Sequence, residues 1–187
     1  RNVVSIYMAR IAITDGMSDE AVEILENAGH EVVLRHYDSD EIANGSLLEF
    51  DAVVIRSATK LPSEQISASV NDSAGIRFIG RAGVGVDNID IAEATKIGIT
   101  VCNTPGASTR SVVELTIGHL IASTRHIATA DRTLRNGKWA KKQLRGSEIG
   151  GKRLGLIGFG RIARGVASVA SSFGMEVHAF DPFVDEA

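Results

Sequence analysis

Short apolar runs alternate with helix-like segments along the chain, and this rhythm restricts the fold more than any other feature. Ala9 to Thr14, Glu31 to Arg35, Ala52 to Ile55, Arg77 to Ile79 and Ile99 to Cys102 each read as a compact strand. Between them, Ser18 can cap a helix with Asp19 and Glu20 in its first turn, an apolar face of Ala21, Ile24, Leu25 and Ala28, and Gly29 past its end. A short helix is expected around Asp40 to Ala43 and another from Pro62-Ser63 through Val70, while Asp90 and Glu93 have capping-box spacing for a further one. Strands and helices in this order imply right-handed βαβ crossovers and a parallel, doubly wound sheet. Ligands of such sheets gather beyond the carboxyl ends of the strands. Arg56-Ser57 and the segment from Arg81 to Val86 stand at such ends, where a solvated arginine and a plain glycine turn are the competing readings.

The stretch from Lys152 to Asp181 carries a chemical signature. Leu154 to Ile157 reads as a buried parallel strand that breaks at Gly158-Phe159-Gly160. A helix with Ile162, Val166, Ala170 and Phe173 on one face follows and ends at Gly174, and Val177 to Phe180 is a second strand closed by Asp181-Pro182. Gly158 permits a tight turn, Gly160 lets the backbone approach a pyrophosphate, and the helix N-terminus offers N–H groups to the anion. Asp181 lies about 20 residues beyond, where a carboxylate accepts both hydroxyls of an adenosine ribose. That acid would repel a 2′-phosphate, which favours NAD over NADP. Ala163 occupies the place of the third glycine, a tolerated variant.

Asn103 to Ser108 is the expected domain boundary, separating residues 8–103 from residues 104–187. Ser111 and Glu114 have capping-box spacing, and Val112 to Ala128 is apolar around much of its circumference. That helix reads as a domain-junction or subunit-interface element, or as an internal core helix. A second helical piece runs to Asn136-Gly137, and Lys138-Trp139-Ala140-Lys141-Lys142 reads as a solvated basic loop with one aromatic anchor.

A net charge of −3 and a pI of about 6.0 give no bulk basicity for nucleic acid or a membrane surface. The single cysteine, Cys102, excludes an internal disulfide framework and fits a reducing cytoplasm. No apolar run approaches a membrane span, no signal peptide is evident, and residues 1–7 read as an extension ahead of the first strand. The histidines, His30, His36, His119, His126 and His178, have no carboxylate or cysteine partner at metal-ligand spacing, so no metal is expected.

Taken together, Arg56-Ser57-Ala58-Thr59-Lys60, Gly80 through Asp90, Asn103-Thr104-Pro105-Gly106, Asn136-Gly137-Lys138-Trp139 and Leu156 through Ile162 resemble the D-isomer-specific 2-hydroxyacid dehydrogenases, from Ala9 onward. The residues look most like those members that oxidise 3-phosphoglycerate to 3-phosphohydroxypyruvate with NAD at the entry to serine synthesis. The Val70 to Gly75 stretch is longer than usual for the family. The resemblance implies a flavodoxin-like doubly wound substrate domain followed by the start of a Rossmann NAD-binding domain. It implies that Arg56 binds the anionic substrate, that the loop from Arg81 through Gly83 and Val84 offers backbone N–H groups to its carboxylate, and that Arg81 meets a phosphate. Val84 would border the nicotinamide, Arg161 and Ile162 the pyrophosphate, and Asp181 the ribose. Lys141 matches a position that reaches a neighbouring subunit's site in some members, and the helix from Val112 to Ala128 would form a homodimer or homotetramer interface.

The family's catalytic arginine, glutamate and histidine are expected beyond Ala187, so the chain reads as a fragment, inactive alone, whose second domain would have open sheet edges and a loose fold. The rival reading from another class is a non-catalytic, NAD-sensing protein like the co-repressors that share the architecture. A receiver-like first domain is disfavoured, since only Asp15 follows the first strand.

Overall fold

A computed structural model describes residues 8–184, and the expected extension at residues 1–7 lies outside them. The chain divides into two compact units, Arg1–Pro105 and Gly106–Ala187.

The first unit is a parallel α/β sheet of five strands: β1 (Arg10–Ile13), β2 (Glu31–Leu34), β3 (Ala52–Ile55), β4 (Phe78–Arg81) and β5 (Thr100–Asn103). They lie in the order β2-β1-β3-β4-β5, the doubly wound flavodoxin-type order with its reversal beside β1. Helices α1 (Asp19–Asn27), α2 (Ser39–Ala43), α3 (Ser63–Ala68) and α4 (Ile91–Lys96) make the crossovers. Val53, Ile55 and Ile79 on the central strands pack with Leu47, Phe50 and Ile66 in one buried core.

Local signals shift where tertiary pairing overrides them. β4 runs on through Gly80 and Arg81, which the sequence places in a loop, because Gly80 pairs with Cys102 and Arg81 with Asn103 on β5. Ser18 stands at the N-cap of α1, but its hydroxyl makes no capping bond. Helix α1 covers only the edge of the sheet beside β2, so Ile24, expected on its apolar face, is 63% exposed. Asp90 caps α4 by accepting from the Glu93 N–H at 3.0 Å, while the Glu93 carboxylate turns to Lys96 and the Ser67 hydroxyl rather than completing a box. A full reciprocal box forms instead at Asp38 and Glu41, which cap α2.

The second unit holds α5 (Thr109–Thr124), α6 (Ile127–Arg135), β6 (Arg153–Ile157), α7 (Arg161–Ser172) and β7 (Glu176–Phe180). β6 and β7 are parallel and joined through α7, a single βαβ unit. Val113 and Ile117 of α5 pack on Val166 and Ala170 of α7 and on Met175. The helix expected from Val112 to Ala128 is broken: the Thr124 carbonyl accepts the Ser147 N–H at 3.0 Å, and His126 takes a left-handed conformation with φ 56° before α6 begins. Ser111 and Glu114 lie inside α5 rather than at its cap. The Ser111 hydroxyl donates to the Ser108 carbonyl, and Glu114 pairs with Arg110. Trp139, expected as an anchor, is 79% exposed. β6 is not buried on both faces: Leu154 and Leu156 are half-buried, and Ile157 is 96% exposed.

Candidate functional site

In the first unit the candidate residues stand at the carboxyl ends of β3 and β4. Arg56 follows β3 directly, is exposed, and its guanidinium has no partner among the described residues. Its main chain is tightly held. The Asp15 Oδ2 accepts from the Arg56 N–H at 2.6 Å and the Thr59 N–H at 3.0 Å, and Oδ1 accepts from the Thr59 hydroxyl at 2.6 Å. From the other side the Asn88 amide donates to the carbonyls of Arg56 and Thr59, at 2.8 and 2.7 Å. Burial pushes the Asp15 carboxyl up, but the Thr59 hydroxyl, the Thr59 and Arg56 N–H groups and the nearby His36 together hold it below its ordinary 3.8.

Arg81 is half-buried and folds back on its own loop. Its Nη1 donates to the Ala82 carbonyl at 2.9 Å, while Nε is buried with no partner. The guanidinium lies over Gly83, where a Cβ would come within 1.5 Å of Nη1, so glycine alone leaves it room. The Gly83 N–H, expected to face an anion, donates instead to the Arg81 carbonyl at 2.8 Å, and the Ala82 N–H donates to Ile55. The Val84 N–H has no acceptor among the described residues. The Val84 side chain is exposed, and its carbonyl is fixed by the Asn103 amide at 2.7 Å. Thr104 holds the Gly83 carbonyl through its N–H at 2.9 Å. The structure thus brings Arg56, Arg81, Gly83 and Val84 to one edge of the sheet, clamped by Asp15, Asn88 and Asn103.

The second unit places its candidates at the carboxyl ends of β6 and β7. Gly158 turns the chain out of β6 with φ 87°, a conformation that strains any side chain. Gly160 is the N-cap of α7, with open space where a Cβ would stand, and Arg161 and Ile162 open the helix. Among the described residues nothing accepts from the N–H groups of Gly160, Arg161 or Ile162, the unpaired donors of a helix start. Asp181 ends β7; its Oδ2 accepts from the Phe159 N–H at 2.6 Å and its Oδ1 from the Phe183 N–H at 2.9 Å. The Phe159 bond, then the Phe183 bond, hold the Asp181 carboxyl below its ordinary value against the opposing effect of burial, with the charge of Arg164 a lesser contribution in the same direction. A carboxylate has about four acceptor positions, so about two remain for further donors.

Lys141 lies exposed in the turn after Ala140. One histidine has a carboxylate partner after all: His178 Nε2 stands 2.8 Å from Glu176 Oε1, two residues apart on β7. Both are exposed, Glu176 at the start of β7 and His178 in its middle, and neither stands at the strand's carboxyl end. No group of three histidine, cysteine or carboxylate side chains able to hold a metal occurs among the described residues. No helix among them is long and apolar enough to cross a membrane.

A parallel α/β sheet with arginines at its carboxyl edge, and a βαβ unit with a glycine turn and a terminal acid, define a dehydrogenase-type architecture. The sequence profile of the D-isomer specific 2-hydroxyacid dehydrogenase catalytic domain matches residues 11–183. The chain belongs to the D-isomer specific 2-hydroxyacid dehydrogenase family. It is 46% identical over 174 residues to a protein named hydroxypyruvate reductase from Thermotoga maritima, covering 92% of this chain and 55% of that one. It is 40% identical over 177 residues to D-3-phosphoglycerate dehydrogenase of Methanocaldococcus jannaschii, covering 95% and 33%. The crystal structure of NAD+-bound 3-phosphoglycerate dehydrogenase from Entamoeba histolytica superposes with a TM-score of 0.73 at 32% identity, covering 96% of this chain and 56% of that one. The chain thus spans about a third to just over half the length of these relatives.

Proposed function

We propose that this chain supplies the substrate-binding part and the first part of the cofactor site of an NAD-dependent D-2-hydroxyacid dehydrogenase. Residues 8–103 are the substrate domain and residues 104–187 begin the NAD-binding domain. The observation that carries the reading is the glycine turn of Gly158 and Gly160, held by Asp181 at the open N-terminus of α7.

The residues fit a dinucleotide. The free N–H groups of Gly160, Arg161 and Ile162 suit a pyrophosphate, and the spare acceptor positions of Asp181 suit ribose hydroxyls. The ionised Asp181 disfavours the 2′-phosphate of NADP. Bound NAD supplies the hydride acceptor. Arg56 holds the substrate carboxylate or phosphate, a task that suits the planar guanidinium. The Val84 N–H donates to the substrate carboxylate, Gly83 keeps room for Arg81, and Val84 also borders the nicotinamide. The arginine, glutamate and histidine that orient the substrate and take its hydroxyl proton are expected in the segment of the family that follows residue 187. Lys141 is a candidate contact to a neighbouring subunit's site. The apolar residues exposed on α5 and α6, Leu115 and Ile127 among them, suit a homodimer or homotetramer in the cytoplasm.

For the substrate, 3-phosphoglycerate at the entry to serine synthesis is the first reading, on the resemblance and the pairing of Arg56 with Arg81. Glycerate and hydroxypyruvate are the second, because the Thermotoga relative carries that name at the higher identity and Arg81 is turned onto Ala82. Steady-state oxidation assays of the full-length protein with 3-phosphoglycerate and glycerate, each as D and L isomers, separate them. A kcat/KM at least tenfold higher for D-3-phosphoglycerate supports the first reading, and the reverse order overturns it. Binding of NADH with no turnover of any D-2-hydroxyacid would point to the NAD-sensing class instead.

A further inference from the structure

We propose that Arg164, in the first turn of α7, is a positioning residue that presets the glycine turn for a pyrophosphate by holding the carbonyl of Phe159. The proposal rests on the reading of Gly158, Gly160 and Asp181 as the NAD site, and goes beyond it by assigning a residue outside that motif.

Arg164 Nε donates to the Phe159 carbonyl at 2.9 Å, and its guanidinium carbon lies 5.5 Å from the centre of the Phe159 ring, within cation–π range. On the other side of the same residue, the Phe159 N–H donates to Asp181 at 2.6 Å, and the Gly158 N–H donates to the Phe180 carbonyl at 2.7 Å. Two successive peptide planes are therefore pinned by side chains from different elements, one from α7 and one from the end of β7.

The planarity of the peptide gives this a directional consequence. The Phe159 carbonyl and the Gly160 N–H share one trans peptide plane and point in opposite directions. Drawing the carbonyl toward Arg164 aims the Gly160 N–H the opposite way and leaves it without an acceptor, beside the free N–H groups of Arg161 and Ile162. A turn that starts on a glycine has many other backbone conformations open to it. Left unpinned, it would have to be ordered by the ligand at the expense of affinity. Arginine suits the task because Nε–H and the guanidinium plane are fixed relative to one another, so one side chain can donate to the carbonyl and lie against the ring.

The competing explanation is that Arg164 only attracts the pyrophosphate by its charge. Charge attraction at an exposed site is screened by salt and retained by lysine, whereas the set of a backbone turn is not. NADH titrations of the full-length protein, followed by fluorescence, are compared for wild type, Arg164→Met and Arg164→Lys, with adenosine as a phosphate-free control. The expected result is a roughly three- to tenfold weaker NADH affinity for Arg164→Met. The loss persists up to about 1 M salt, lysine does not fully restore the affinity, and adenosine binding is unchanged. Without any nucleotide, the backbone amide signals of Phe159 and Gly160 shift and exchange faster in Arg164→Met. Wild-type affinity in Arg164→Met, a loss that vanishes in high salt, or full rescue by lysine would overturn the proposal. If wild type itself fails to bind NADH, the dinucleotide reading falls, and the nucleotide-free amide comparison still decides whether Arg164 sets the turn: unchanged signals there overturn it.

Discussion

The Asp15 carboxylate holds the main chain of Arg56, accepting its N–H at 2.6 Å across 41 residues of sequence. The arginine at the sheet edge is therefore exposed in its side chain but fixed at its root. Replacing Asp15 by Asn removes the charge from contacts with three donors. Allowing for partial exposure of the carboxylate, a loss of about 1–2 kcal/mol is expected, read by urea denaturation. In the full-length enzyme the KM for the acid should rise as well, because the root of Arg56 is released.

The same carboxylate gives a pH dependence of defined sign. Its folded-state value lies below the ordinary 3.8, so its contribution is fully present above that value and is lost as the pH falls through the lower, folded value. Melting temperature should therefore fall on acidification below 3.8 more steeply in wild type than in Asp15→Asn. Parallel curves for the two proteins would assign acid unfolding to other carboxylates.

Gly83→Ala tests the space under Arg81. The added Cβ would stand 1.5 Å from Nη1, the far end of a flexible side chain, so the guanidinium swings away at little cost to folding. Denaturation midpoints should change little, while substrate affinity of the full-length enzyme changes by roughly three- to tenfold if Arg81 or the Val84 N–H contacts the acid. An unchanged KM would remove this loop from the substrate site.

Gly165→Ala tests the contact of α5 with α7. A Cβ at residue 165 would meet Val113 Cγ2 at 2.6 Å, and Val113 is buried and stiff at χ1. Overpacking of about 1–3 kcal/mol outweighs the gain of less than about 1 kcal/mol in helix propensity. The double variant Val113→Ala/Gly165→Ala should lose less stability than the two single changes added together.

The parts of the fold that depend on local patterning are legible in the sequence. The apolar runs mark the strands to within a residue or two, and Gly158 and Asp181 announce themselves by a spacing within one βαβ unit. What escapes is set by partners far along the chain. β4 extends through Arg81 where β3 and β5 pair with it on either side, and at the end of α5 the Thr124 carbonyl accepts the distant Ser147 N–H. Asp15 reads in the sequence as an isolated acid after the first strand, since its partners Arg56 and Thr59 follow more than 40 residues later. Asn88 and Asn103 lie inside motifs shared with the family, but nothing in their spacing shows which carbonyls their amides hold. The capping box expected at Ser111 failed because the helix begins a turn earlier, at Thr109.

The most direct test of the account is a titration of the full-length protein with NADH and NADPH, for wild type and Asp181→Asn. Wild type is expected to bind NADH more tightly than NADPH by about tenfold or more, since in the proposed site an ionised Asp181 would face the extra phosphate. In Asp181→Asn that preference should shrink, with NADH binding weakened. Equal binding of the two nucleotides by wild type, or no effect of Asp181→Asn on either, would contradict the assignment of Gly158 to Asp181 as an NAD site.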